Sequence, residues 1–198
     1  MSSDLVDKHI DLFDRIAPAY GLFYKLQVRN FRRILAANPV CLTGGTCTIL
    51  DVGCGTGALA YVLAERGNTV VGLDGSARMI AVARRLNQHP NVFFSVGNAL
   101  EPLEGRYDVV VASYVLHGLP QEERFRLYEA MKRLATKRVI IMDYNHRRGW
   151  LTSAIEWLER GDYFNFIKTA ETEMRQIFKT VTTIQTGKRS AWYICECG

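Results

Sequence analysis

The residues best suited to chemistry stand together at Asp51-Val52-Gly53-Cys54-Gly55-Thr56-Gly57-Ala58. Three glycines at alternate positions let the main chain bend tightly and let a ligand approach it without a Cβ in the way. They follow the apolar run Thr48-Ile49-Leu50-Asp51-Val52, which reads as a buried strand, and precede Leu59, Val62 and Leu63, which read as one side of a helix. In open α/β sheets the carboxyl end of such a strand is where ligands bind. Two ligands compete for this turn. Gly53-x-Gly55-x-x-Ala58 satisfies the loose dinucleotide pattern, so an NAD(P)-dependent oxidoreductase is one reading. Asp51 favours another, because a carboxylate two residues before the first glycine would repel a diphosphate. It would attract the ammonium and sulfonium groups of S-adenosylmethionine (SAM), and Gly57 extends the pattern to D-x-G-x-G-x-G, which suits that ligand.

Two further positions extend the candidate site. Asp74 ends the run Val70-Val71-Gly72-Leu73, 17 residues after Gly57. An acid there can accept both ribose hydroxyl protons, as in dinucleotide folds. It serves SAM and NAD equally, and its plainer role is to cap the following turn. Asn98, in Gly97-Asn98-Ala99-Leu100, can hydrogen-bond an adenine edge or stabilise its own turn.

These residues need elements to hold them. From residue 47 the chain alternates strand and helix, which implies a parallel sheet with right-handed crossovers. Strands are expected at 48–52, 69–73, 91–96, 107–113 and 138–143, with a helix from about Pro120 to Ala135. Gly67 is placed to end the helix after the first strand, and Ser76 to cap the helix carrying Met79, Ile80, Ala83 and Leu86. Lys179 to Thr186 and Ser190 to Cys197 flank Gly187-Lys188-Arg189 and read as an antiparallel hairpin. The expected fold is therefore an α/β, Rossmann-like seven-stranded sheet of five parallel strands and a C-terminal antiparallel hairpin, with helices on both faces.

The flanks are helical in pattern. Leu5, Ile10, Leu12, Phe13 and Ile16 mark one helix that Pro18 interrupts. Tyr20, Phe23, Tyr24, Phe31, Ile34 and Leu35 mark a second, giving an N-terminal cap over residues 1–40. Residues 145–170 read as a substrate lid: a helix from Trp150 to Arg160, then the aromatic stretch Tyr163-Phe164-Asn165-Phe166. A short helix is expected around Glu171 to Phe178. Trp157 reads as structural, and the 163–166 stretch as closer to substrate.

Composition narrows the class. The chain has 198 residues, 48% hydrophobic and 23% charged, which suits one globular domain spanning 1–198. No apolar run reaches membrane-span length, and Met1-Ser2-Ser3-Asp4 lacks the basic and apolar regions of a signal peptide, so a cytoplasmic setting is expected. The five cysteines are odd in number and lack paired C-x-x-C spacing, which reads as reduced thiols and no metal site. The net charge of +5 comes from scattered pairs such as Arg32-Arg33 and Arg84-Arg85, so it does not by itself imply nucleic acid.

His117 is the candidate catalytic residue, as acceptor contact or base, because it follows the fourth strand and an unperturbed imidazole can take a proton around neutral pH; a plain loop hydrogen bond is the equal alternative. Asp143 and His146, after the fifth strand, are weaker candidates. Tyr20 and Tyr114 can present aromatic faces to a sulfonium, or simply pack. Cys195 and Cys197 share one face of a strand, a pairing that would suit soft metal or arsenic chemistry.

The sequence resembles the class I SAM-dependent methyltransferases over roughly residues 10 to 197. Asp51-Val52-Gly53-Cys54-Gly55-Thr56-Gly57 resembles their first motif, Asp74 their ribose-binding acid, and Met79 the apolar residue that packs on adenine. Asn98-Ala99 stands where many members have Asp-Ala. Tyr107-Asp108-Val109-Val110 and Ser113-Tyr114-Val115-Leu116-His117 resemble the fourth-strand motif, whose end faces the methyl group. Phe13-Asp14-Arg15-Ile16-Ala17-Pro18-Ala19-Tyr20 is similar to the N-terminal motif of the ubiquinone/menaquinone-biosynthesis C-methyltransferases, with Gly21 in place of the usual Asp; in that group the tyrosine covers the cofactor. The resemblance implies SAM as cofactor, held by Tyr20, Asp51, Gly53, Gly55, Gly57, Asp74, Met79, Asn98, Ala99 and Ser113. It implies methyl transfer to a small organic acceptor, with aromatic and quinone-like molecules as candidates. Peripheral membrane contact is expected only if that acceptor is lipophilic. The rival readings are a nucleic-acid methyltransferase, the oxidoreductase above, and a non-catalytic SAM-binding protein. Acceptor identity and oligomeric state stay open.

Overall fold

Apolar side chains alternate along the central strands so that each strand feeds two cores. The computed structural model describes residues 23–38, 46–145 and 162–197. Its strands are β1 (Thr48–Val52), β2 (Thr69–Asp74), β3 (Val92–Val96), β4 (Tyr107–Ser113), β5 (Ala135–Tyr144), β6 (Thr180–Gln185) and β7 (Ser190–Glu196), in the sheet order β3-β2-β1-β4-β5-β7-β6. Strands β1 to β5 pair in parallel, and β7 runs antiparallel to both β5 and β6. The described helices are α1 (residues 23–37), α2 (Ala58–Ala64), α3 (Ala77–Leu86), α4 (Gln121–Leu134) and α5 (Tyr163–Ile177).

One core takes Leu50, Val52, Val110, Ala112, Val139 and Ile141 from the sheet, under Leu127, Tyr128 and Met131 of α4 and Phe166, Ala170 and Met174 of α5. The other takes the alternate residues Ile49, Val109, Val111, Ile140 and Met142, under Tyr24, Val28, Phe31 and Leu35 of α1 and Leu59 and Leu63 of α2. This is the period-two division of a sheet covered on both faces, and it explains why β1 and β4 read as unbroken apolar runs. From β1 the chain steps outward to β2 and β3, then crosses back to place β4 on the other side of β1. The carboxyl ends of β1 and β4 thus diverge at a topological switch point, where a ligand crevice opens.

Two elements depart from the sequence expectation. Strand β5 begins at Ala135, directly after α4, rather than at Arg138. Its first residues are polar, yet Thr136 donates its hydroxyl to the Tyr107 carbonyl at 3.1 Å and Lys137 pairs with Asp108 at 2.9 Å, so the strand edge is satisfied without an apolar pattern. The aromatic stretch at 163–166 is not a loop before a short helix; it opens α5, one 15-residue helix. Tyr163, Phe166, Ile167, Ala170 and Met174 form its buried stripe, at helical spacing. The first N-terminal helix, Tyr20, His146, Trp150, Trp157 and the helix expected from Trp150 to Arg160 lie outside the described residues.

Candidate cofactor and acceptor cleft

The cleft begins where β1 ends. Asp51 is 1% exposed, and among the described residues neither carboxylate oxygen accepts a well-formed hydrogen bond. Burial, reinforced by the nearby Asp74 carboxylate, pushes its pKa up to about 8; the Ala60 amide pulls weakly the other way. A buried polar group without a partner is rare in folded proteins and calls for an explanation.

After Asp51 the main chain enters the left-handed region at Gly53 (φ 66°), Gly55 (φ 53°) and Gly57 (φ 77°). Two of these positions show why side chains are excluded. A Cβ on Gly57 would fall 2.5 Å from the Phe94 ring, so this glycine closes the turn against the sheet. A Cβ on Gly55 would meet nothing within 4 Å and would project into open space. Gly55 therefore keeps room for a ligand.

Asp74, at the end of β2, is locked by two main-chain donors. The Gly55 amide donates to Oδ2 at 2.8 Å and the Ser76 amide to Oδ1 at 2.9 Å. The capping alternative thus holds beside the ligand one: the acid organises the turn and also lines the cleft. Ser76 caps α3 as expected, accepting from the Met79 amide at 3.0 Å, and this places the buried Met79 against the cleft. Asn98 spends its carbonyl on the Leu100 amide at 3.0 Å, which turns its NH2 group outward from that bond.

The cleft occupies about 510 Å³, within the ordinary range for a small-molecule site. Asp51, Gly53, Gly55, Asp74, Met79, Asn98, Ala99, Ser113 and His117 all line it; Gly57 does not, and Tyr20 lies outside the described residues. Ser113, at the end of β4, carries a buried hydroxyl with no hydrogen-bond partner among the described residues. The next residue, Tyr114, takes φ 55°, a conformation that costs a non-glycine residue about 1–3 kcal/mol and collects at functional sites.

His117 lies in a short 3₁₀ turn, Leu116–Gly118, after β4. Its Nδ1 is 2.8 Å from Oδ1 of Asp143, a fully buried residue near the end of β5. The same carboxylate accepts the amides of Leu116 (3.1 Å), His117 (3.3 Å) and Tyr144 (2.8 Å). The Tyr144 ring meets His117 at 4.8 Å, Tyr114 at 5.3 Å and Tyr163 at 5.1 Å between centroids, all edge-on. Tyr114, Tyr144 and His117 line one end of the cleft.

Sequence reasoning missed several of these. Asp143 was a weaker candidate than His117, with capping of a strand end as its alternative, and its pairing with His117 was not foreseen. Tyr144, Gln27 and Phe31 were not singled out for the cleft, yet they line it, and Gln27 accepts a hydrogen bond from the Thr56 hydroxyl at 3.2 Å, tying α1 to the glycine turn. Conversely, Phe166 is fully buried in the α5 core, away from the cleft lining, and Phe164 is 40% exposed. Tyr163 reaches the site only from behind, against Tyr144 and His117. Cys195 is buried beneath α5, and burial raises the pKa of both C-terminal thiols. That opposes the thiolate form a soft metal would need, and neither cysteine lines the cleft.

Residues 49–138 match the family model described as a methyltransferase domain. The chain is 40% identical over 99 residues to the chloroplastic magnesium protoporphyrin IX methyltransferase of Arabidopsis thaliana, covering 48% of this chain and 31% of that protein. It is 29% identical over 143 residues to the demethylmenaquinone methyltransferase of Tropheryma whipplei (strain Twist), covering 69% and 59%. The chain thus spans less than two thirds of the length of either relative. Among solved structures, the DhpI-SAM-HEP complex superposes with a TM-score of 0.73 at 17% identity, covering 98% of this chain and 99% of that one. The magnesium protoporphyrin IX methyltransferase of Synechocystis PCC 6803 with bound SAM superposes with a TM-score of 0.60 at 20% identity, covering 88% and 80%. The match at residues 49–138 thus makes this part of the chain similar to a methyltransferase domain, within a sheet whose fold the solved structures share.

Proposed function

We propose that the protein transfers the methyl group of SAM to a small organic acceptor of aromatic or quinone-like character. The observation that carries this reading is the Asp51 carboxylate, buried in the cleft lining without a well-formed hydrogen bond among the described residues. The ammonium of an amino-acid tail supplies what that carboxylate lacks, and Gly53 and Gly55 leave the main chain open beside it. Asp74, held rigid by two amides, takes the ribose hydroxyls, while Met79, Asn98 and Ala99 take the adenine. The unpartnered Ser113 hydroxyl lies beside the amino-acid end. Gly57 serves indirectly, by closing the turn.

When bound, SAM supplies a methyl group made electrophilic by its positive sulfur. The protein must align the acceptor with that methyl, exclude water and, for a protonated acceptor, remove a proton. His117 is the residue proposed to touch the acceptor. Helix α1 is the described part of a cap over residues 1–40, in keeping with Gln27 and Phe31 on the cleft wall. Residues 145–170 are proposed as the lid, with Tyr163 at its fixed end.

A nucleic-acid acceptor has less behind it. Among the described residues, the acids and bases lining the cleft, other than His117 and the weakly acidic cysteine and tyrosines, are the carboxylates Asp51 and Asp74, a poor setting for a polyanion. Asp51 likewise disfavours the diphosphate of NAD(P), whereas Asp74 would suit the ribose of either ligand. Among the described residues no helix is long and apolar enough to cross a membrane.

A thermal-shift panel tests the proposal, since a ligand selective for the folded state raises the melting temperature. SAM and S-adenosylhomocysteine (SAH) should stabilise the protein and NADH should not; the reverse pattern would overturn the proposal. Turnover of labelled SAM with metabolite extracts then separates an enzyme from a cofactor-binding protein without activity.

A further inference from the structure

We propose that Asp143 is a positioning residue that fixes His117 as a general base through Nε2, and that the acceptor atom is a phenol- or enol-type hydroxyl oxygen. The proposal deepens the methyltransferase reading and rests on it.

Asp143 is fully buried and receives four hydrogen bonds. Three come from main-chain amides, which can only donate. They engage both oxygens as acceptors, Oδ2 twice and Oδ1 once, so the fourth contact, with Nδ1 of His117, is one in which the imidazole donates. The proton of the neutral ring is therefore on Nδ1, and Nε2 is the basic nitrogen. The carboxylate also favours the charged ring that forms on proton uptake. Among the described residues, the titratable groups seen against the ring include Asp143 and Tyr144 from β5 and Tyr163 from α5.

The base selects the acceptor by acidity. A carboxylic acid is ionised at neutral pH and needs no base, and an aliphatic alcohol is too weak an acid for imidazole to assist far. An aromatic or enolic hydroxyl, near the tyrosine value of about 10, is within range of an imidazole near 6.5 as charge develops. The Tyr114 and Tyr144 rings on the same wall suit a flat acceptor. In the transfer, the hydroxyl proton goes to Nε2 and the oxygen keeps the bonding pair. One oxygen lone pair forms the new O–CH3 bond, and the C–S pair departs with sulfur as a neutral thioether. The imidazolium, held by Asp143, later returns its proton to solvent.

Nitrogen-15 NMR of the full chain saturated with SAH, with ring signals assigned through His117→Gln, gives a readout independent of turnover. We expect neutral His117 to carry its proton on Nδ1. Asp143→Asn should reverse the tautomer, because the new amide can donate to Nδ1, and should lower the pH at which the ring titrates. Naphthol should perturb the Nε2 signal, whereas naphthoate and methoxynaphthalene should not. A wild-type ring protonated on Nε2 overturns the proposal and needs no variant, so it stands even if Asp143→Asn fails to fold. An unchanged tautomer in folded Asp143→Asn overturns the role of Asp143. An Nε2 signal indifferent to naphthol overturns the acceptor class. Failure of SAH to bind at all would instead defeat the methyltransferase reading.

Discussion

The Gly55 amide donates to Oδ2 of Asp74 across 2.8 Å, so the acid that ends β2 also fixes the middle of the turn that follows β1. Ligand contact and loop shape therefore depend on one carboxylate. Asp74→Ala should weaken SAH binding about 10- to 100-fold, the equivalent of roughly 1.5–3 kcal/mol for hydrogen bonds to a charged group. Calorimetry should also show a less favourable entropy, because the turn must be ordered on binding. Unchanged affinity would reject the ribose assignment.

Asp51 predicts a pH-linked affinity. Its pKa is raised to about 8 in the unliganded fold, against about 3.9 for an ordinary aspartate. The folded state thus binds the proton more tightly than the unfolded state, so stability falls as pH rises from about 4 toward 8. A bound ammonium reverses the preference and needs the carboxylate ionised. SAH binding near pH 7 should release up to one proton, seen as a buffer-dependent enthalpy, and affinity should rise with pH up to about 8. In Asp51→Asn the proton release should vanish and the unliganded protein should gain stability above pH 8.

Arg124 predicts a large stability effect remote from the cofactor. Its fully buried guanidinium donates to both Glu173 oxygens (2.8 and 2.7 Å), to Asp162 (2.8 Å) and to the Leu119 carbonyl (2.7 Å). It ties the end of the His117 turn to α4, to the Asp162 cap of α5 and to Glu173 in the second half of that helix. Arg124→Met leaves Glu173 buried without its partner and should cost about 3–5 kcal/mol, lowering the melting temperature by on the order of 10 °C. Adding Glu173→Leu should recover part of that loss.

Glu173 makes the same network acid-sensitive. Burial pushes its pKa up, but the hydrogen bonds from Arg124 and Thr169 outweigh burial and hold it below the usual glutamate value. Its stabilising contribution is complete above about pH 4.3 and is lost as pH falls through the depressed folded value. Glu173→Gln should therefore flatten the acid limb of the stability curve, measured by urea unfolding between pH 5 and 2.

Asn98 predicts a gain. With its carbonyl engaged by Leu100, the side chain offers a donor where an aspartate would offer a second acceptor. Asn98→Asp should keep the Leu100 bond and add an acceptor for the adenine amino group, tightening SAH several-fold by calorimetry. No gain would place the adenine elsewhere.

The glycine-turn side of the cleft was legible because its residues are close in sequence and chemically unusual. Alternate glycines, a preceding acid and a second acid after the next strand announce a turn whatever surrounds them. The His117 side was less legible because it is assembled by pairing. His117 and Asp143 are separated by 26 residues and meet because β4 and β5 are neighbours. Asp143 matches many strand-end aspartates, and nothing local to it reveals three amides converging on one carboxylate. The start of β5 escaped for a related reason: Thr136 and Lys137 are held by partners on β4, not by an apolar pattern. Helix α5 was readable from Tyr163, Phe166, Ile167, Ala170 and Met174, but the density of aromatics there suggested contact with substrate rather than a core stripe.

The order β5-β7-β6 constrains how the sheet is assembled. Among the described residues β6 has a ladder only with β7, and β7 lies between it and β5. β6 can therefore join the sheet only together with, or after, the strand that follows it in sequence. Until β7 pairs with it, β5 presents an open row of main-chain donors and acceptors beside strongly apolar side chains, the kind of edge that recruits other chains. A lesion in the β6–β7 turn would thus act less on the cofactor cleft than on the yield of monomeric, correctly closed protein.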